Sequence, residues 1–306
     1  MDAKITDAYL QTFPTQFHLL HQYADFRALY EKAIEVSGLR NHPQLHQRPL
    51  KALDIGGGNG ILGGTIAAEF DGRVEYQNLD IIYKHLAEDI ERGWNKNLPP
   101  LPANALPGDV KDLDTIVAKG TTYDAMFVLN FESGFKKGEY FRDRCSDEKE
   151  FLFAYAMQIS QLYSALIFAQ AALHLRKDGK LVEGGLFLDD TLDGRMSFFE
   201  KTGLRFWHDG YSRVPLSTAT ALRFAKHDVR SDLAAKRNYL NEFHQPLHQV
   251  AAEINDLAEL YQESFGIHVF SALDNDRDHA RKTIAGLREK WQDALEQWGL
   301  QDRFCG

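Results

Sequence analysis

The chain has 306 residues, a formal net charge of −9 and 44% hydrophobic side chains, enough for one α/β domain of about 200 residues with appendages and a sizeable core. The acidic balance gives no general help in approaching a polyanion, which disfavours RNA as a partner. The two cysteines, Cys145 and Cys305, stand far apart and in no metal-ligand spacing, so reduced thiols are expected. The most apolar stretch, residues 162–175, is interrupted by Ser164 and Gln170 and too short to span a bilayer, and the first residues lack the apolar core of a secretory signal. A cytoplasmic protein with no membrane partner is expected.

In chain order, Tyr9, Phe13, Phe17, Leu20, Tyr23, Phe26, Tyr30, Ala33 and Ile34 recur every three or four residues around a break at Pro14. This predicts an aromatic-rich helical cap ending near Gly38, its apolar stripe reading as packing. A polar linker, residues 39–48, leads to the first strand, so residues 1–48 form cap and linker.

Residues 50–55 (LKALDI) give way to four glycines within five positions, after which Ile61, Leu62, Ile66 and Phe70 fall at helical spacing. The pattern predicts strand, glycine turn and helix. Glycine permits φ > 0 and close backbone approach to a ligand, and the following helix aims free N–H groups over the turn. Two motifs overlap here: Gly58, Gly60 and Gly63 spell the dinucleotide fingerprint GxGxxG, while Asp54, Gly56, Gly58 and Gly60 spell D-x-G-x-G-x-G. An acid before the first glycine repels a pyrophosphate but suits an ammonium group.

Residues 74–80 predict a second strand ending in Asp80, a carboxylate placed for ribose hydroxyls under either motif. A helix over 82–95 stops before Pro99, Pro100 and Pro102. Then come Leu106-Pro107-Gly108-Asp109-Val110 and a buried fourth strand, 123–131, opening into a loop. A long helix over 148–175, a basic-glycine turn at 176–180, a fifth strand over 181–188 and a helix over 189–203 follow. Segments 204–211 and 219–225 read as paired final strands, the last antiparallel to a mainly parallel sheet. The core domain is thus 49–228. In 229–306, Leu233, Tyr239, Leu240, Phe243, Leu247, Val250, Ile254, Leu257 and Leu260 outline two helices, and Ile284, Leu287, Trp291, Leu295 and Trp298 another. This helical extension is expected to pack on the core, cover the site or form a homodimer interface.

The order of these pieces resembles the class I S-adenosylmethionine (SAM) methyltransferases. The Tyr-x-x-x-Lys of a short-chain dehydrogenase is absent, which favours SAM over NAD. The resemblance implies an α/β, doubly wound, mainly parallel seven-stranded sheet of the Rossmann-like methyltransferase kind with helical N- and C-terminal additions. It implies SAM cradled by Asp54, Gly56, Gly58 and Gly60, ribose on Asp80 beside Ile81, adenine near Asp109 and Val110, and Asn130 and Phe131 at the methyl, with Tyr9, Phe13, Phe17, His18 and His21 of the cap as candidates to roof the acceptor pocket. The second half, from VLNFESG through YSRVPLSTATALRFAKHD, is similar to FtsJ-type RNA ribose 2′-O-methyltransferases with their Lys-Asp-Lys-Glu tetrad. Here Asn130 replaces the acid, Glu183 or Gly184 stands near the second lysine, and Thr220 or Ala221 near the glutamate.

These departures turn the expectation to a small-molecule acceptor methylated on oxygen or nitrogen. RNA ribose methylation and a catalytically silent SAM-binding subunit are the alternatives. Asn130, Glu132 and Glu183 are the catalytic candidates. The loop 132–144, with Phe135, Lys136, Lys137, Tyr140, Phe141, Arg142 and Arg144, is the candidate for acceptor recognition. Asn130, Asp189 and Asp190 resemble the metal ligands of catechol O-methyltransferase, but adjacent acids before a helix read as N-caps, and no metal is expected.

Overall fold

The computed structural model describes residues 24–58, 60–80, 83, 103–129, 149–185, 192–217 and 264–297. Seven strands form one sheet: β1 (Leu50–Ile55), β2 (Val74–Asp80), β3 (Ala105–Pro107), β4 (Tyr123–Leu129), β5 (Leu175–Gly185), β6 (Phe206–Pro215) and β7 (Ser264–Ala272). Their spatial order is β3-β2-β1-β4-β5-β7-β6. Strands β1 to β5 are parallel, and β7 runs antiparallel to both β5 and β6. The central strands carry the near-continuous apolar runs of strands covered on both faces; all seven residues of β4 are buried.

Helices cover both faces, so the fold is a doubly wound, mainly parallel α/β sheet. On one face lie α1 (Ala24–Val36) and α2 (Ile61–Phe70), where Phe26, Leu29, Leu62 and Ile66 pack with Ala52, Phe127, Val182 and Ile267. The short α3 (Leu113–Ile116), the long α4 (Lys149–His174), α5 (Leu192–Thr202) and α6 (Arg277–Gln297) lie on the other, where Leu166, Phe168, Phe199 and Ile284 meet Leu53, Met126, Leu181 and Phe270. Neighbours such as Ala52 and Leu53 serve opposite cores, as the two-residue period of a strand requires.

The described end of the helical cap is α1, which stops at Ser37 and Gly38, the latter in the left-handed region at φ 74°. The linker is pinned by the buried Asp124, which accepts two bonds from the Arg48 guanidinium (2.9 and 2.5 Å) and one from the Lys51 N–H (2.8 Å). Burial raises the Asp124 pKa, but the Arg48 and Lys51 hydrogen bonds and the Arg48 and Arg176 charges outweigh it, and the net shift is down.

Two expectations change. The turn at 176–180 is a bulge inside β5: pairing jumps from Tyr123 with Leu175 to Ala125 with Lys180, and Asp178 sits at φ 65°. The seventh strand is β7, from the segment read as helical extension; the predicted strand at 219–225 lies outside the described residues. Residues 265–272 of β7 are all buried, the polar His268 and Ser271 included, so the strand shows no apolar–polar alternation to announce it. The sheet therefore extends past residue 228. Of the roles left open for the helical extension, packing on the core is the one α6 takes: its apolar stripe, with Ala280, Ile284, Leu287, Trp291 and Ala294, is buried there against α4. The predicted helices between Leu233 and Leu260 lie outside the described residues. No helix among the described residues is long and apolar enough to cross a membrane.

Candidate functional site

The strand order reverses between β1 and β4, the place where open α/β sheets bind ligands beyond their carboxyl ends. The glycine turn stands there. Gly56, Gly58 and Gly60 have φ of 69°, 53° and 75°, the left-handed region that glycine enters without strain. The Gly56 N–H donates to the Leu79 carbonyl at 2.7 Å, tying the turn to β2. The Gly58 peptide is gripped at both ends: its N–H donates to Asp80 Oδ2 at 2.9 Å, and its carbonyl accepts from Asn78 Nδ2 at 3.0 Å and from the Tyr83 hydroxyl. Asp80 thus closes β2 directly beside the turn, as its spacing predicts.

Asp54 lies beneath the turn. Its Oδ2 accepts from the Tyr76 hydroxyl at 2.7 Å, while Oδ1, also buried, has no hydrogen-bond partner among the described residues. Burial first, and the nearby Asp80 charge second, push its pKa up to about 7 against the opposing Tyr76 hydrogen bond. Asn78 Oδ1 is likewise buried and unpartnered among the described residues. Gly57, a free position in the motif, is close-packed: a Cβ there would stand 2.3 Å from Asp54 Oδ2 and 2.6 Å from Asn78 Oδ1, against 3.4 Å to the nearest atom at Gly60. Gly57, Tyr76, Asn78 and Tyr83 escaped the sequence reading. The four-glycine run is the one signal that could have found Gly57.

At the β3 end, Asp109 takes the Lys111 N–H on Oδ1 at 3.0 Å and the Tyr163 hydroxyl on Oδ2. Burial raises its pKa, opposed by the Lys111 charge and these two bonds. The side chain is therefore engaged by the fold, and Val110 is 2% exposed within the core. Both lie just past the carboxyl end of β3, with their side chains turned inward. Tyr163 is itself backed by Trp291 of α6, with ring centroids 4.6 Å apart, and Arg288 of α6 donates to the Lys111 carbonyl at 2.7 Å.

Glu183 has a different role from the one expected. It is buried and held by Arg195 of α5 through two guanidinium bonds, one of 2.5 Å. Both carboxylate oxygens are thus taken up by the guanidinium. In the same row across the sheet stand His268 and Tyr211, and His268 Nδ1 lies 3.1 Å from His208 Nε2. Ile81, Asn130, Phe131, Glu132, the loop 132–144, Asp189, Asp190 and the cap residues Tyr9, Phe13, Phe17, His18 and His21 lie outside the described residues.

No protein-family model and no curated protein matches the chain. Among solved structures, it is similar to the 1,6-didemethyltoxoflavin-N1-methyltransferase of Burkholderia thailandensis with bound 1,6-didemethyltoxoflavin and S-adenosylhomocysteine, at 10% identity and a TM-score of 0.43 over 89% of this chain and 88% of that one. It is similar to the N-methyltransferase NodS from Bradyrhizobium japonicum WM9 at 9% identity and 0.41, over 83% and 99%. The [4+2]-cyclase SpnF matches at 12% identity and 0.43, over 82% of each chain.

Proposed function

We propose that this chain is a SAM-dependent methyltransferase acting on a small-molecule acceptor at oxygen or nitrogen. The observation that carries the reading is the strand order. A dinucleotide-binding sheet runs 3-2-1-4-5-6, whereas here a reversed β7 is inserted between β5 and β6, in keeping with the seven-stranded sheet and antiparallel final strand that the sequence resemblance implies.

The residues fit the cofactor. Gly56, Gly58 and Gly60 bring bare backbone to the turn, Asp80 closes β2 beside it, where it would meet the ribose hydroxyls, and the unpartnered Asp54 oxygen would place negative potential under the turn, suited to an ammonium and adverse to a pyrophosphate. Bound SAM supplies an electrophilic methyl on a sulfonium, with a neutral leaving group. The protein's part is to hold the acceptor in line with it, an orientation worth effective molarities of about 10⁵ to 10⁸ M. A base is required only for a hydroxyl or ammonium that must lose a proton. Asn130 and Glu132, which follow β4, remain the candidates; Glu183 is committed to Arg195. The RNA-methylating alternative needs a lysine where that pair stands, and is not carried further.

Calorimetric titration with SAM and NAD in parallel, followed by labelled-methyl transfer to a metabolite extract, tests the proposal. Micromolar SAM binding without NAD binding, and label in a small molecule, are expected. NAD binding alone overturns the cofactor; SAM binding without transfer to any fraction points to the silent subunit.

A further inference from the structure

Resting on the methyl-transfer reading, we infer that Tyr211 anchors an anionic oxygen, a carboxylate or phosphate oxygen, of the methyl acceptor. The register aligns Val128, Glu183, His268 and Tyr211 in one row across β4, β5, β7 and β6. The parts expected to hold SAM occupy β3, β2 and β1 on the other side of β4, so the acceptor's side of the sheet is β5, β7 and β6.

Lower on this face the core is aromatic, with Phe168, Phe199, Phe206 and Phe270 in mutual contact. One row up it becomes polar. The Tyr211 hydroxyl is buried and has no hydrogen-bond partner among the described residues. Leaving such a group unpaired costs stability, so a sequence selected for stability alone would carry phenylalanine here. The surroundings specify the missing partner. Arg213 lies over the Tyr211 ring, 5.6 Å from its centroid, and draws electron density from it, strengthening the hydroxyl as a donor. The His268 ring packs 4.7 Å from the same ring. Glu183, the acid of the row, is held by Arg195 and so neither takes the Tyr211 proton nor repels an incoming anion. A donor without an acceptor, beside a cation and a neutralised acid, selects an anionic oxygen. Three strand steps separate β4 from β6, roughly 14 Å at the usual strand spacing, so the acceptor is an extended molecule with its anion at the end remote from the methyl.

The test uses the full chain with 13C-labelled tyrosine, sodium benzoate and inorganic phosphate as probes, and SAM titrated separately. The Tyr211 resonance, identified by its loss in Tyr211→Phe, is expected to shift on adding either probe, and Tyr211→Phe is expected to weaken that binding about ten- to a hundredfold. The same variant should bind SAM unchanged and melt no lower than wild type, because it removes an unpaired group. A chain that binds SAM but shows no Tyr211 shift with either probe overturns the anchor and leaves the proposed function standing. A clear loss of melting temperature in Tyr211→Phe also overturns it, by revealing a structural partner. Probe binding at Tyr211 in a chain that takes no SAM overturns the acceptor role assigned to it.

Discussion

Burial moves Asp54 from the usual 3.8 to about 7, and the sign of the consequence follows from linkage. A carboxyl whose folded pKa lies above its unfolded one holds its proton more tightly when folded. Its contribution is complete below about 3.8, falls as pH rises towards 7 and is constant beyond. Thermal melts of the unliganded chain should therefore decline across that window, and Asp54→Asn should flatten the decline. Affinity for SAM should show the opposite trend, rising several-fold from pH 6 to pH 8 as the ionised acid meets the ammonium; equal affinities at both would remove Asp54 from the ligand's field. For Asp80, substitution by alanine should weaken SAM binding by one to two powers of ten, the loss of about 1.5 to 3 kcal/mol of charged hydrogen bonding. Calorimetry on the variant reads this directly. Glu183→Ala strands a buried Arg195, and an uncompensated buried charge costs about 3 to 5 kcal/mol, a loss that denaturant titration would register whether or not the residue touches chemistry.

At the scale of elements, the glycine turn and α2 separate two uses of glycine. Gly57→Ala would drive a methyl into Asp54 and Asn78, so it should abolish measurable SAM binding and destabilise by about 1 to 3 kcal/mol. Gly64→Ala, inside α2 with nothing within 4 Å of the new Cβ, should instead stabilise by about 0.5 to 1 kcal/mol. Parallel melts of the two variants distinguish them, and matching effects would show that the turn is not close-packed. The motif D-x-G-x-G-x-G made this corner legible because glycine's backbone freedom leaves a signature in sequence. Tyr76 and Asn78 of β2, and Tyr83 beyond its end, were not legible as turn supports, since a polar side chain does not state in sequence which partner it reaches.

For the whole molecule, the decisive feature is that β7 lies between β5 and β6. A chain ending at residue 228 lacks an interior strand together with α6, whose Trp291 and Ile284 complete one core. It should fail to fold, seen as loss of cooperative melting and near-UV circular dichroism; a cooperative transition in that fragment would contradict the register. The sequence by itself determined the first half of the sheet: β1, its glycine turn, α2, β2 with Asp80, and β4 each carry a local pattern in which period, turn chemistry and burial agree. Only the tertiary structure decided what residues 264–297 do, what Glu183 is paired with, and that Tyr211 and His268 share a row. Those facts depend on contacts between residues far apart in the chain. A short run without clean alternation, such as β7 with its buried His268 and Ser271, does not declare itself a strand until its neighbours are known.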